Sequence, residues 1–236
     1  MPSVIDQLME LGLTKHESTI YLALLEQGAL TGYEVAKYTG ISKSNTYITL
    51  AGLVDKGAAQ VQESSATKYV AVPFMEFSNN LIRKMQNLQK SIKPCLPTPK
   101  EDDHGYITIR GVENIMNKLI TMLQEAELRI YISVPFSLLA QLEEYFVEKR
   151  KAGLKIVILT DRPYHLKDVT TYVTPKGDNQ VRLIVDSCRI FTGHISDTDN
   201  PTCLYSQNAN LVEIFKAMLQ NEITLIEHDM WGDLPD

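Results

Sequence analysis

Apolar residues recur at helical spacing early in the chain. Between positions 20 and 25 they form pairs four residues apart, behind a capping box at residues 14–17, which predicts a helix that Gly28 ends. A second capping box at residues 31–34 predicts a short helix, and a third helix begins at Ser42 after a turn that contains glycine. Two helices joined by such a turn are typical of a helix-turn-helix.

The third helix has an apolar stripe. Tyr47, Leu50, Ala51 and Val54 lie at positions i, i+3, i+4 and i+7, and we expect this stripe to face the core. The opposite face then carries the polar residues Asn45, Thr49 and Lys56.

A β-hairpin is predicted directly after this helix. Residues 59–63 and 68–72 have strand composition and flank the polar turn of residues 64–67, so three helices and a hairpin make a winged helix. The first turn of the third helix and the wing are the places where such a domain contacts DNA. The predicted DNA contacts are Lys43, Ser44, Asn45, Thr46, Thr49, Lys56, Ser64, Ser65 and Lys68.

An apolar seam follows the hairpin at spacings of three and four residues, close to a heptad repeat. A helix packed on its own domain and a coiled-coil contact both explain this pattern. A winged helix that reads a palindromic site needs a second copy at fixed spacing, which favours a homodimer. The predicted interface residues are Phe74, Phe77, Leu81, Met85, Leu88 and Ile92.

From residue 105 onwards, strands and helices alternate, which predicts an α/β domain with a partly parallel sheet. The predicted strands are residues 106–109, 128–134, 154–160, 181–185 and 189–191, and the predicted helices are 112–127, 137–152 and 210–226.

The net charge of −6 hides an asymmetry between the two parts of the chain. Residues 1–97 hold nine basic and eight acidic side chains, whereas residues 98–236 hold fourteen and twenty-one. Within residues 31–93 the balance is +4, which suits a segment that contacts DNA phosphates. A proline-rich stretch near residue 97 separates the parts, so we predict a winged helix at 1–72, a dimerising helix and linker at 73–97, and an effector domain at 98–236.

Residues 32–57 resemble the DNA-binding region of TrmB-type transcriptional regulators. In that family a small polar and basic segment precedes a tyrosine, a Leu-x-x-Leu spacing and a Lys-Gly pair before the wing. The matching positions are residues 42–47, Leu50, Leu53 and Lys56 with Gly57. Lys43 stands where relatives often carry Arg, and it lacks the bidentate fork that reads guanine.

The C-terminal pattern resembles the phospholipase-D-like domain that follows the winged helix in TrmB-type regulators. Enzymes of that superfamily carry His-x-Lys-x-x-x-x-Asp, and the equivalent frame here keeps Asp186 but has Asn179 and Val181 at the His and Lys positions. The resemblance therefore implies the fold without the chemistry, and we predict that the protein is not an enzyme and that Asp186 fixes the turn after its strand. A phosphodiesterase or nuclease with an altered site, and a winged-helix docking module, are the alternatives.

A non-catalytic α/β domain joined to a DNA reader is expected to sense a small molecule or another protein. The resemblance implies a sugar-like effector, and an arginine at the strand ends suits a phosphorylated one. Ligands bind beyond the carboxyl ends of strands in open α/β sheets, where this chain has Ser133, Asp161, Arg162 and Asp186. Three scattered cysteines and a single polar turn after His194 predict neither a metal site nor another cofactor. The longest apolar run is six residues, and we expect a cytoplasmic protein without a membrane partner.

Overall fold

A computed structural model describes residues 2–63, 66–98, 105–174, 180–195 and 200–228. The chain divides into two compact units, Met1–Pro99 and Lys100–Asp236. Within the described residues, no helix has the length and apolar content needed to cross a lipid bilayer.

The N-terminal unit is a winged helix with one helix in front and one behind. Capping boxes at Ser3, Thr14 and Thr31 begin its first three helices. The strands pair antiparallel in the order β1-β3-β2. The elements are α1 (Val4–Glu10), α2 (Lys15–Gln27), β1 (Leu30–Thr31), α3 (Gly32–Thr39), α4 (Lys43–Asp55), β2 (Ala59–Gln62), β3 (Lys68–Ala71) and α5 (Phe74–Ile92).

The core of this unit joins α2, α3 and α4 to the start of α5. Ile20, Leu50 and Leu53 are fully buried in it. Tyr21 is buried as well, and its hydroxyl donates to the Val72 carbonyl at 2.8 Å. Because that carbonyl follows β3, the bond ties α2 to the end of the wing.

The buried face of α4 is shifted from the predicted stripe by one position along the helix. Thr46, Thr49, Leu50 and Leu53 are the buried set, with the same i, i+3, i+4 and i+7 spacing, while Tyr47 lies 52% exposed. Thr46 tolerates the interior because its hydroxyl donates to backbone carbonyls in the preceding turn. The predicted stripe was therefore wrong, although Leu50 belongs to both sets.

The C-terminal unit is built on a seven-stranded sheet in the order β4-β10-β9-β8-β5-β6-β7. Strands β5, β6 and β7 run parallel, and the remaining neighbours pair antiparallel. The elements are β4 (Tyr106–Arg110), α6 (Val112–Gln124), β5 (Arg129–Ser133), α7 (Phe136–Lys151), β6 (Lys155–Thr160), β7 (Thr170–Val173), β8 (Gln180–Val185), β9 (Arg189–His194), β10 (Thr202–Ser206) and α8 (Ala209–Glu227).

Helices cover both faces of this sheet. Successive side chains of a strand point to opposite faces, and here apolar side chains are buried on each. Ile130 and Ile132 pack on one side with α6 and α7, whereas Val157 and Leu159 of β6 pack on the other side with α8. The fold is therefore a mixed α/β domain of three layers.

Candidate nucleic-acid interface and effector region

The N-terminus of α4 presents polar and basic side chains to solvent. Ser42 caps the helix by accepting from the Asn45 amide at 3.4 Å, and Lys43, Ser44 and Asn45 are exposed. The Lys43 ammonium lies 4.7 Å from the centre of the Tyr33 ring, a cation–π distance. Free backbone amides at a helix start and a nearby ammonium together favour a phosphate group.

Three of the predicted DNA contacts have structural roles. Thr46 and Thr49 are buried, so they are corrected to core residues. The Lys56 ammonium donates to the Glu17 carboxylate at 2.7 Å and to the Gly12 carbonyl at 2.8 Å, which fixes α4 against α2. Lys56 is therefore a packing residue of the N-terminal unit, and because its side chain is 39% exposed its contact with DNA stays a prediction.

The Glu17 carboxylate is held by several groups at once. Burial opposes its ionisation, but Lys56 and the Thr14 amide and hydroxyl outweigh burial and lower the pKa of Glu17. A methyl group at Gly52 would lie 2.7 Å from a Glu17 carboxylate oxygen, so Gly52 provides the space for this contact.

Lys68 lies at the start of β3, on the wing. It is half-buried and pairs in register with Thr31 of β1. Hydrogen bonds from the Thr31 amide and hydroxyl lower the pKa of Glu34, and the charge of Lys68 lowers it further. Ser64 and Ser65, at the predicted wing tip, lie outside the described residues.

The exposed surface of α4 contains apolar residues, and two of them, Tyr47 and Ala51, are predicted from the sequence to face the core. Ile48 and Ala51 are exposed, and Tyr47 leans against Gly32, where an added Cβ would lie 2.5 Å from the tyrosine ring. Once the buried set is known, helical periodicity alone places Ser44, Ile48 and Ala51 on one outward face.

Most of the predicted seam on α5 is open to solvent. Phe74, Met85, Leu88 and Ile92 are exposed, and Leu81 is half-buried beside an open groove of about 720 Å³ that Leu11 also lines. Phe77 is the exception, because it is buried in the core with its ring centre 5.8 Å from that of Tyr21. Phe77 is therefore corrected from an interface residue to a core residue.

Three of the four predicted effector residues lie at the carboxyl end of the parallel strands. Ser133 ends β5, and Asp161 and Arg162 follow β6 directly. Asp161 accepts from the Phe136 amide at 2.6 Å, which lowers the pKa of Asp161 and caps the start of α7. Arg162 is exposed and lies 3.6 Å from the second Asp161 carboxylate oxygen.

Ser133 belongs to a buried polar cluster between the sheet and α8. Its hydroxyl accepts from Arg182 at 3.1 Å, and Arg182 pairs with the buried Glu222 of α8 at 2.9 Å. Since Ser133 is fully buried and already bonded, it is corrected from an effector contact to a residue that holds Arg182.

Asp186 lies at the opposite end of the sheet from Ser133. Strand β8 runs antiparallel to β5, so Asp186 accepts from the Arg129 amide at the start of β5, roughly 13 Å along the strand from Ser133. Its carboxylate also accepts from the amides of Glu127 and Leu128. Of the two roles predicted for Asp186, the structure shows the turn anchor, and the effector contact is corrected.

Removing the Asp186 carboxylate should destabilise the C-terminal unit. Asp186 and Ser187 have φ values of +53° and +57°, and the Cys188 amide closes the turn on the Val185 carbonyl at 3.1 Å. Asp186→Ala leaves backbone amides without an acceptor and places Ala in a left-handed conformation, at a cost of about 3 kcal/mol in the free energy of unfolding. Urea unfolding of the wild type and the variant, monitored by circular dichroism, measures this loss of free energy.

The same carboxylate gives the unit a pH dependence. Burial opposes ionisation, but the three amides and Arg189 outweigh it, so the folded pKa of Asp186 lies below its ordinary value of 3.8. The contribution of the Asp186 carboxylate to the free energy of unfolding is fully present above about pH 4, and it is lost as the pH falls through the folded pKa. Asp186→Asn keeps the turn conformation and flattens this part of the stability profile; an unchanged profile contradicts the assignment.

The described residues contain no group of three or more His, Cys, Asp or Glu side chains arranged to hold a metal ion. Val181, at the lysine position of the phospholipase D frame, is fully buried in the core. Asn179, at the histidine position, lies outside the described residues.

Two family models match the chain, and together they cover most of it. The model for the sugar-specific transcriptional regulator TrmB matches residues 8–75, and the model for the TrmB EBD N-terminal subdomain matches residues 105–218. The chain belongs to the TrmB family of transcriptional regulators. As a member, it is a DNA-binding regulator whose N-terminal match covers α2, α3, α4 and the wing.

Similar proteins include bacterial and archaeal members. The uncharacterized protein YrhO of Bacillus subtilis is 24% identical over 95% of this chain and 86% of its own length. The sugar-sensing transcriptional regulator TrmBL1 of Pyrococcus furiosus is 28% identical over 66% of this chain. The aligned region spans about half, 47%, of the length of TrmBL1.

Among solved structures, the archaeal chromatin protein TrmBL2 aligns with a TM-score of 0.44 and 22% sequence identity. The alignment covers 92% of this chain and 96% of the TrmBL2 chain. A phospholipase D family member also aligns, at a TM-score of 0.43.

Proposed function

We propose that this TrmB-family protein is a homodimeric, sequence-specific DNA-binding regulator controlled by a small-molecule effector. The observation that carries the proposal is the exposed start of α4, where Lys43, Ser44 and Asn45 surround a capped helix N-terminus. Contacts to phosphates at this point set the register of a recognition helix, and its next turn then reaches base edges. Lys68 adds a second basic contact from the wing.

The dimer contact is proposed for α5. After Phe77 is assigned to the core, the seam keeps Phe74, Leu81, Met85, Leu88 and Ile92 at heptad-like spacing. Four of these are exposed on a helix that extends beyond the core, and a second copy of the same helix would bury them. A two-fold pair of chains presents two α4 helices, as a palindromic site requires.

The effector is proposed to bind the C-terminal unit at the carboxyl end of β5 and β6. Arg162 is exposed there and can clamp a phosphate or carboxylate, and Asp161 can accept from a sugar hydroxyl through the oxygen that faces Arg162. Binding would favour one arrangement of the two chains and so change the spacing between recognition helices.

Selection of DNA from a random duplex pool by the intact chain tests this function. We expect enrichment of two half-sites related by a dyad, with centres about ten base pairs apart or a multiple of that. Enrichment of a single unrepeated site contradicts the dimer. An unchanged base distribution contradicts sequence-specific binding.

A further inference from the structure

Ile48 is exposed where a recognition helix would meet DNA. Among the large apolar side chains of the described residues, it is the most exposed, at 70%. It lies one turn after Ser44 on the outward face of α4, and Ala51 continues that face. A β-branched apolar side chain at the centre of this face gains nothing from water, so its position points to a partner.

The chemistry of this face selects what it could read in a major groove. The helix Lys43–Asp55 contains no Arg or Gln, and its two residues that can pair with guanine or adenine, Lys43 and Asn45, lie in the first turn on either side of the outward face. The outward centre instead offers a branched aliphatic group and a methyl group. The C5-methyl of thymine is the one apolar feature that B-DNA presents in the major groove.

The neighbouring side chains of Tyr47 and Lys43 leave Ile48 open to solvent. Tyr47 is held to one side because its ring fills the space that a Cβ on Gly32 would need. Lys43 is placed over Tyr33 at the amino end of the same helix, where it can reach a phosphate. Along the exposed part of α4, a positive amino end therefore precedes the apolar position of Ile48, which suits a phosphate contact followed by a thymine-methyl contact in the groove.

We propose that Ile48, supported by Ala51, reads a thymine methyl in each half-site of the operator. The proposal rests on the proposed function, since it takes α4 as the recognition helix. It assigns specificity to apolar contact, while Lys43 and Lys68 supply affinity that does not depend on sequence.

Replacement of thymine by deoxyuridine in a selected duplex tests the proposal. Uracil keeps the base-pairing edges and the phosphates and lacks only the methyl group. One buried methyl in each half-site corresponds to about fourfold per contact, ~0.8 kcal/mol, so we expect the wild-type chain to bind the uracil duplex about 15-fold more weakly. Fluorescence anisotropy with the intact protein measures both affinities.

The Ile48→Ala variant supplies the second arm. We expect this variant to bind the thymine duplex about as weakly as the wild-type chain binds the uracil duplex. Its affinities for the two duplexes should then be equal. Ile214→Ala, at an exposed isoleucine of α8, is the matched control and should retain the wild-type difference.

The outcomes separate this proposal from the function on which it rests. Equal wild-type affinities for both duplexes, or an Ile48→Ala protein that keeps the full difference, overturn thymine reading while DNA binding stands. An Ile48→Ala protein with unchanged affinity for both duplexes overturns it too and leaves Ile48 as a protein contact. Absence of any DNA binding by wild type overturns both.

Discussion

The double variant Lys43→Glu with Lys68→Glu is expected to lose DNA binding by about 100-fold or more at low salt. In a dimer the two changes remove four positive charges from the DNA-facing surface and introduce four negative ones. Each lost phosphate contact forfeits the release of condensed counterions, and each new carboxylate repels the backbone. Fluorescence anisotropy with a random-sequence duplex measures the loss without knowledge of the operator.

Two controls separate this effect from misfolding and from general charge. Lys151→Glu with Lys167→Glu makes the same charge change at exposed positions of the C-terminal unit, and we expect near-normal DNA affinity. Lys43→Gln with Lys68→Gln avoids repulsion between a new carboxylate and Glu34, and should show an intermediate loss. A folded double-Glu variant, verified by circular dichroism, that binds like wild type would count against α4 and the wing as the interface.

The double variant Met85→Glu with Leu88→Glu is expected to convert the dimer into a monomer. Both positions are exposed within one chain, so the change costs little in an isolated unit. Across a two-fold contact it places four carboxylates in an apolar seam, where desolvation and mutual repulsion disfavour association by several kcal/mol. Sedimentation equilibrium should move from twice the chain mass of 26.6 kDa to that mass itself.

Met75→Glu is the matched control on the same helix. Met75 is exposed but lies about a quarter turn from the seam, so its charge should leave the dimer intact. If the seam variant stays dimeric, or if the wild-type chain is already monomeric at micromolar concentration, α5 is not the dimer contact.

Helix boundaries in the N-terminal unit could be predicted because their determinants are local. Thr14 with Glu17, and Thr31 with Glu34, form capping boxes in the structure as in the sequence. The burial of individual faces depends instead on tertiary contacts. In α4, two sets of residues share the same spacing around Leu50, and only the preceding turn, which accepts the Thr46 hydroxyl, decides between them.

The effector region shows a second limit of sequence reasoning. Strand composition predicted β8, but composition does not give strand direction. A site that unites Asp186 with Ser133 and Asp161 requires parallel strands, whereas β8 pairs antiparallel with β5. The pairing of Arg182 with Glu222 joins residues forty positions apart, and no local pattern in the sequence marks it.

The most direct test of the central claim is the salt dependence of DNA binding by the intact wild-type chain. With Lys43 and Lys68 on phosphates in both copies, four contacts predict a slope near −3.6 in a plot of log affinity against log salt. We therefore expect affinity for duplex DNA to fall about 100-fold between about 50 and 200 mM salt. No detectable binding at 50 mM salt, or an affinity that does not change with salt, would contradict a DNA-binding role for this winged helix.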